Sequence, residues 1–280
     1  MSGFSPEWLQ LREGADHRAR NAALFEKLVA RFTDREAITI VDLGAGLGSN
    51  LRAIAPALSF RQHWILVDHD PVLLASARDA IRSWADSARV TAAGIEAVKA
   101  GRALRVELKR HDLAADPAAW NSVKPDLVTA AALFDLVSED WIDRFVAALS
   151  RARLPLYAAL THDGKTQWLP AYPADAAMEA AFARHFARDK GFGPAAGARA
   201  SSLLAEHLAA ADYMVERAPS PWRLGRDDTA LIAALAYGWT EAVRETKQVP
   251  DRTIADWLKA HTAAGVSCTV GHEDLIAFPR

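Results

Sequence analysis

The sequence has little cysteine and lacks the motifs that usually accompany bound metals. Cys268 is the single cysteine in 280 residues, so the chain can form neither an internal disulfide nor a cysteine-based metal cluster. The nine histidines include no His-x-x-x-His or His-Glu-x-x-His arrangement, which argues against a histidine metal site. We therefore predict no metal centre, and the cysteine usage suits a reducing cytoplasm.

Long apolar runs, a strong net charge and a hydrolase motif are also missing. No stretch reaches the roughly 18 apolar residues that a membrane span needs, and no basic start followed by an apolar run indicates a signal peptide. A net charge of -2 and a pI near 6.5 create no field that favours nucleic acid or an anionic membrane. Gly-x-Ser-x-Gly is absent, which argues against an α/β-hydrolase. We expect a soluble, cytoplasmic protein without a nucleic-acid or membrane partner.

The hydrophobic pattern predicts an α/β fold. Segments with a strand pattern and segments with a helix pattern alternate five times, and a closing strand pair, or one bent strand, follows over 266–278. Right-handed crossovers then give a doubly wound, mostly parallel sheet that binds ligands at the carboxyl ends of its strands. Residues 6–32 have an amphipathic helical pattern with a break near Gly14, and the alanine-rich segment 85–101 is predicted to be helical.

One short stretch organises this pattern, and it reads Ile38-Thr-Ile-Val-Asp-Leu-Gly-Ala-Gly-Leu-Gly-Ser-Asn50. Its β-branched first half is typical of a buried strand in a parallel sheet. Asp42 ends the strand, and three alternate glycines precede a helix-like segment over 51–58. Glycine has no Cβ, so this turn lets the backbone approach a ligand closely. The helix start that follows offers free N–H groups and the positive end of a dipole.

The turn Asp42-Leu-Gly-Ala-Gly-Leu-Gly48 is similar to motif I of the class I S-adenosylmethionine (SAM) dependent methyltransferases, in which an acid precedes Gly-x-Gly-x-Gly. A dinucleotide-binding turn, Gly-x-Gly-x-x-Gly, is the rival interpretation. Its third glycine would stand where this chain has Ser49. The resemblance implies a Rossmann-like methyltransferase fold, with a seven-stranded sheet, an antiparallel C-terminal strand and helical additions. It also implies SAM as the cofactor.

The ends of further predicted strands carry acids that the resemblance assigns to SAM. Asp68 follows an apolar strand at the distance where nucleotide-binding sheets place the ribose-binding acid, although it could instead cap a helix. Asp112 resembles the acid that binds the adenine amino group, with helix capping as its alternative. Arg12, otherwise part of a solvated helix face, is the candidate partner of the SAM carboxylate. The predicted cofactor-binding residues are Asp42, Gly44, Ala45, Gly46, Gly48, Asp68, His69, Asp112, Leu113, Ala130, Ala131 and Arg12.

The side of the predicted site that would hold the methyl acceptor has weaker signals. Residues 124–137 resemble motif IV of the same family, which implies that Phe134 and Asp135 border the target of the methyl group. His162 follows the fifth strand and is the candidate general base, with a plain polar strand-end residue as the alternative. Aromatic and charged residues further along could form a substrate pocket, or simply core and solvated surface. The predicted substrate-binding residues are Phe134, Asp135, Asp163, Trp168, Lys190 and Phe192.

These features divide the chain into an N-terminal helical lid (1–35), a SAM-binding Rossmann-like core (36–164), a helical and loop insertion that forms a substrate lid (165–200), and the C-terminal part of the same sheet (201–280). The predicted function is SAM-dependent methyl transfer to a small-molecule N or O acceptor by a monomer or homodimer. Two alternatives stay open. One is a nicotinamide-dependent oxidoreductase, and the other is a non-catalytic SAM-binding protein.

Overall fold

The computed structural model describes residues 4–120 and 122–280. Its strands are β1 (Ala37–Leu43), β2 (Arg61–Asp68), β3 (Ser87–Thr91), β4 (Gly94–Lys99), β5 (Arg102–Arg110), β6 (Leu127–Ala131), β7 (Leu156–Leu169), β8 (Tyr213–Pro219), β9 (Trp222–Leu224) and β10 (Ser267–Pro279). Its α-helices are α1 (Pro6–Ala19), α2 (Ala22–Phe32), α3 (Ser49–Ile54), α4 (Pro71–Trp84), α5 (Glu139–Ala152), α6 (Asp175–Phe186), α7 (Ala200–Ala210), α8 (Thr229–Thr246) and α9 (Asp251–His261).

All ten strands belong to one sheet, in the order β3-β4-β5-β2-β1-β6-β7-β10-β8, with β9 also paired to β10. The five strands β5, β2, β1, β6 and β7 run parallel. Strand β10 runs antiparallel to both of its long neighbours, β7 and β8. The series from β5 to β8 is thus a doubly wound sheet of seven strands with an antiparallel C-terminal strand. The predicted fold class is confirmed, and β3, β4 and β9 are additions to it.

The helix predicted over residues 85–101 is wrong, because this segment forms the β3–β4 hairpin, which pairs with β5 at the edge of the sheet. Ile95 and Ala97 are buried while Glu96 and Val98 are exposed, which is the period-two pattern of a half-buried strand. The alanine content favours a helix in isolation, but pairing with β5 overrides that local preference. Helix propensity was therefore a poor guide to this segment.

The two N-terminal helices divide later than predicted. Helix α1 continues through Gly14 to Ala19, so the predicted break near Gly14 is wrong. The division lies at Asn21, whose side-chain oxygen accepts a hydrogen bond from the N–H of Leu24 at 3.1 Å and so caps α2. This hinge leaves α1 free to cross the carboxyl ends of the strands while α2 packs beside the sheet.

The closing strand β10 is one bent strand rather than a pair. Its pairing with β7 shifts register between Val270 and His272 and again between Glu273 and Leu275, as β-bulges do. Strand β7 is also long, so residues 165–169 of the predicted insertion continue the sheet, and α6 follows them. Within the described ranges, no helix combines the length and the apolar character that crossing a bilayer requires.

The hairpin makes a stability prediction possible. A Cβ on Gly94 would lie 2.1 Å from the carbonyl oxygen of Val106, at a φ of +131° that suits only glycine. Gly94→Ala should therefore lower the free energy of unfolding by roughly 1–3 kcal/mol or more. The control is Gly238→Ala in α8, where nothing lies within 4 Å of the added Cβ. This change should raise the free energy of unfolding by about 0.5–1 kcal/mol. Urea titration measures both, and equal effects would contradict the hairpin geometry.

Candidate functional site

A cavity of about 270 Å³ lies at the carboxyl ends of β1, β2, β5 and β6, beneath α1. The strand ends, helix α1 (called the lid helix only for its place over the cavity) and the loop after α6 all contribute to its wall. Of the predicted cofactor-binding residues, the structure brings together Arg12, Asp42, Gly44, Ala45, Gly46, Asp68, His69, Asp112, Leu113 and Ala131. Lys190 and Phe192 of the predicted substrate-binding set line the same cavity. Residues from four strands and two additional segments therefore face one space.

The glycine turn forms the floor of the cavity at the end of β1. Gly44, Gly46 and Gly48 all have positive φ angles, of +62°, +52° and +73°, which are accessible to glycine at little cost. A Cβ on Gly46 would lie 3.1 Å from Leu9 in the lid helix, so the bare backbone lets the lid approach. Gly48 does not line the cavity. A Cβ there would lie 3.1 Å from Leu66, so its role is to pack the turn against β2.

Asp68 at the end of β2 holds the glycine turn in place. One carboxylate oxygen accepts the N–H of Gly46 at 2.9 Å, and the other accepts the N–H of Asp70 at 3.0 Å. Asp70 in turn accepts the N–H of Val72 at 2.7 Å and caps α4. The capping role that was the alternative for Asp68 thus belongs to Asp70. A carboxylate can accept about four hydrogen bonds, so Asp68 retains acceptor capacity toward the cavity.

The end of β5 forms an apolar wall with an acid at its rim. Asp112 is exposed and accepts the N–H of Ala114 at 2.9 Å. Leu113 is buried, and its carbonyl accepts the indole N–H of Trp141 at 2.6 Å. Phe192 packs edge-on against the same indole, with ring centroids 5.9 Å apart. The loop after α6 therefore closes the cavity on the side of β5.

Asp42 is completely buried beneath the turn and depends on Asn50. The Asn50 amide nitrogen donates to one Asp42 carboxylate oxygen at 2.7 Å and to the hydroxyl of Thr129 at 3.0 Å. The Asn50 amide oxygen accepts from the Arg20 guanidinium at 2.8 Å. The second Asp42 oxygen has no hydrogen-bond partner within the described part of the chain. Burial raises the pKa of Asp42 to about 7, and the Asn50 hydrogen bond opposes this shift.

The lid helix α1 is pinned over the turn by a buried arginine of α3. The Arg52 guanidinium donates to both carboxylate oxygens of Glu13, at 2.7 and 2.6 Å, and to the carbonyl of Leu47 at 2.6 Å. Such bidentate arginine–carboxylate pairs fix geometry as well as adding energy. The imidazole of His17 lies 3.1 Å from both the carbonyl and the hydroxyl oxygen of Ser49. The position of α1 over the turn is thus held by polar contacts at several points.

Two arginines from the lid line the cavity, and they differ in how their charge is balanced. Arg12 makes a bidentate pair with Asp16 at 2.9 and 3.0 Å and lies over the Trp222 ring. Arg20 has no carboxylate in ion-pair contact in the part of the chain described, and its contacts are Asn50 and the Tyr157 hydroxyl. Arg12 is therefore already neutralised locally, whereas Arg20 brings an unpaired positive charge to the wall.

Comparisons with known proteins identify the fold. No protein-family model matches the sequence, and no curated protein sequence matches it either. The cyclopropane synthase MmaA2 from Mycobacterium tuberculosis is a structural match with a TM-score of 0.50 at 13% identity, covering 98% of this chain and 94% of that one. A SAM-dependent methyltransferase from Geobacter sulfurreducens, in complex with S-adenosyl-L-homocysteine, matches with a TM-score of 0.46 at 14% identity and 99% coverage of both chains.

The chain has the class I methyltransferase fold. At such low identity the likeness concerns the fold alone, so the site has to be argued from this chain's own residues. In this methyltransferase fold the cavity occupies the carboxyl edge of the parallel strands, where open α/β sheets bind ligands.

Several predicted site residues are buried in the hydrophobic core and do not line the cavity. Ala130 is fully buried in β6, and Phe134 packs among Trp141 and Phe145 with ring centroids 6.1 and 5.3 Å away. Trp168 packs edge-on against Trp239 and Trp257 near α8 and α9. Both aromatic side chains fill the interior, and for Trp168 this was the alternative interpretation of the sequence pattern. Asp163 also lies outside the cavity wall and accepts the N–H of Lys165 at 2.9 Å.

His162, the candidate general base, does not line the cavity at the strand ends. It borders a second, smaller cavity and is largely buried. Its Nδ1 atom accepts the N–H of Gly164 at 3.2 Å, so the neutral ring carries its proton on Nε2. Burial also lowers the pKa of His162. Both features disfavour proton acceptance by this ring.

Asp135 is buried and lines neither cavity. Burial raises the pKa of Asp135 to about 6, against the opposing effect of its backbone hydrogen bonds and of Arg12. Three residues that do line the first cavity, Asp16, Arg20 and Asn50, were not among the predicted site residues. The run of charged residues between 12 and 20 was the available signal for the first two. No sequence signal marked Asn50, because its partners are distant in the chain.

The buried Asp42 predicts a pH effect on stability. Its pKa is about 7 in the folded chain and near 3.8 when unperturbed, so between these values the folded state binds more protons than the unfolded state. The free energy of unfolding then falls as the pH rises through this window. Asp42→Asn removes the titration. From pH 5 to pH 8 the stability of the variant relative to the wild type should improve by roughly 2–3 kcal/mol.

Urea titrations at both pH values check this effect. The control is Asp34→Asn, because Asp34 is exposed and lies outside the cavity wall. Its stability difference from the wild type should be the same at the two pH values. Parallel pH profiles for Asp42→Asn and the wild type would show that the buried carboxyl does not titrate as described.

Proposed function

We propose that the chain is a SAM-dependent methyltransferase whose cofactor binds in the cavity at the strand ends. The observation that carries the proposal is the convergence of Asp42, Asp68 and Asp112, from the ends of three different strands, on one cavity with a glycine turn. Asp68 retains acceptor capacity for the two ribose hydroxyls, and Asp112 offers an acceptor for an adenine amino group. The apolar Leu113 suits the face of the adenine ring. This donor and acceptor pattern fits an adenosyl group.

The amino-acid end of SAM would lie toward the lid. It carries a carboxylate and an ammonium group, and the cavity wall there holds Arg20, Asn50 and Asp16. We assign the carboxylate to Arg20, because this arginine has no carboxylate in ion-pair contact within the described residues. Arg12, the partner predicted from the sequence, is already paired with Asp16 in a bidentate contact. Its role is then to fix Asp16 at the wall.

Bound SAM would supply an electrophilic methyl group on a sulfonium. What the chain contributes is position and enclosure. The lid helix, held by Arg52 and Glu13, covers part of the cavity, and the strand ends would hold the cofactor against it. Such positioning can lower a barrier by several kcal/mol. Since His162 does not line the first cavity and its ring is a poor proton acceptor, the arrangement favours an acceptor that presents a free lone pair to the methyl group.

The acceptor is proposed to be a small molecule methylated on nitrogen or oxygen. The modest volume of the cavity, about 270 Å³, favours small acceptors, and Lys190 and Phe192 are part of its wall. Lys190 is partly buried, which lowers its pKa, and within residues 4–120 and 122–280 it donates only a long hydrogen bond of 3.4 Å to the carbonyl of His185. It could therefore meet an anionic group of the acceptor. The cytoplasmic location and the monomeric or homodimeric state stay predictions from the sequence.

Asp112→Asn tests the adenine contact. The asparagine oxygen can still accept the N–H of Ala114, but its amide nitrogen would replace a carboxylate oxygen as the group facing the adenine amino group. The dissociation constant for S-adenosylhomocysteine should rise about 10-fold, which corresponds to about 1.4 kcal/mol. Isothermal titration calorimetry measures it, with Asp34→Asn as the control. An unchanged affinity for Asp112→Asn would remove this residue from the site.

Arg20→Gln tests the assignment of the carboxylate. Loss of a charge-assisted hydrogen bond should weaken S-adenosylhomocysteine binding on the order of 10- to 100-fold. Methylthioadenosine has the same adenosine but no amino-acid end, so its affinity should stay within about twofold. This second ligand also reports whether the variant's cavity is intact. Selective loss of S-adenosylhomocysteine binding in Arg12→Gln instead would assign the carboxylate to Arg12.

A further inference from the structure

A second cavity, of about 190 Å³, lies beside the first and shares a wall with it. The shared wall is the loop that follows α6. Lys190, Gly191 and Phe192 of this loop line the first cavity, while residues 195–198 line the second. The loop is fixed between them, because the N–H of Ala196 donates to the carbonyl of Val137 at 2.7 Å. Any ligand of the second cavity therefore binds next to the proposed cofactor site.

A column of aromatic rings forms one side of the second cavity. Phe182 stacks on Trp239 with centroids 4.3 Å apart and planes 6° apart, and it also stacks on Phe186 at 5.9 Å. His162 packs edge-on against Phe186 at 5.3 Å. All four rings border the cavity. This wall is rigid and largely apolar, so it suits the hydrocarbon or aromatic part of a small molecule.

The charge of the second cavity comes from Glu179 in α6. Its carboxylate is half-buried at the cavity wall and has no hydrogen bond or ion pair recorded within residues 4–120 and 122–280. The other charged side chain at the wall, Arg199, is paired with Glu139 at 2.7 Å. Arg188 of the same loop is paired with Glu245 at 3.0 Å. His162 is held neutral, since burial lowers its pKa.

A cation that binds beside this unpaired carboxylate forms a charge-assisted hydrogen bond with it, while the apolar ring column contacts the rest of the molecule. We propose that the second cavity binds a small organic ammonium ion, with the charged nitrogen at Glu179 and an apolar or aromatic group along the ring column. Under the proposed function, on which this last assignment rests, the ammonium group anchors the methyl acceptor beside the cofactor. The same carboxylate repels a ligand that presents an anionic group to the second cavity, whereas an anionic group of the acceptor would face Lys190 in the first.

The test compares a cation with a neutral molecule of the same shape. Benzylammonium and benzyl alcohol are titrated into the full chain by calorimetry, with and without saturating S-adenosylhomocysteine. Benzylammonium should bind at least about 10-fold more tightly than benzyl alcohol, which is about 1.4 kcal/mol. Glu179→Gln should abolish this preference. Phe186→Leu should weaken both probes, because it shortens the ring column while keeping an apolar side chain.

The matched control is Glu241→Gln, which removes an exposed carboxylate of α8 that lies outside both cavities. It should leave the preference for benzylammonium unchanged. Equal binding of the two probes by the wild type, or a preference that survives Glu179→Gln, overturns the cation site. Binding of S-adenosylhomocysteine is titrated in the same samples. A chain that binds benzylammonium at Glu179 but not S-adenosylhomocysteine retains the cation site and overturns the proposed function.

Discussion

The hydrogen bonds of the Asn50 amide hold the candidate site together. This side chain connects Asp42 at the end of β1, Thr129 in β6 and Arg20 beside the lid. Leaving such a buried polar group without a partner costs about 1–3 kcal/mol. The three partners are therefore fixed relative to one another, although they are distant in the sequence. The floor of the cavity at the end of β1, the neighbouring strand β6 and the unpaired Arg20 all depend on this one amide.

The closing strand β10 controls the position of the lid in a similar way. Asp274 in this strand is completely buried, and it accepts the N–H of Asn21 at 2.9 Å and the hydroxyl of Tyr157 at 3.1 Å. Its other oxygen accepts the N–H of Leu160 at 2.9 Å. Asn21 lies at the hinge between α1 and α2, so the antiparallel strand fixes where the lid begins. The feature that distinguishes this sheet from a plain dinucleotide-binding sheet thus also helps to enclose the cavity.

The parts of the structure that were predictable from the sequence depend on local patterns. Asp42 and Asp68 end apolar strands, and Asp112 follows a strand in which apolar and charged residues alternate, so their convergence follows from strand order alone. The hairpin over 85–101 was not predictable in this way, because its strands are specified by pairing with β5. The lid contacts of Arg20 were equally hidden, since they depend on side chains far away in the sequence. Trp168 in β7 and Phe134 after β6 show that an aromatic residue near a strand end is a weak guide to binding, because both fill the core.

The central claim is that the strand ends and the glycine turn together bind an adenosyl group. A crystal structure of the full chain with S-adenosylhomocysteine tests it most directly. The account predicts that the ribose hydroxyls lie within hydrogen-bonding distance of Asp68, the adenine lies against Leu113 and Asp112, and the carboxylate contacts Arg20. The claim is contradicted if the ligand binds outside the cavity, or if it binds in the cavity with its ribose away from Asp68.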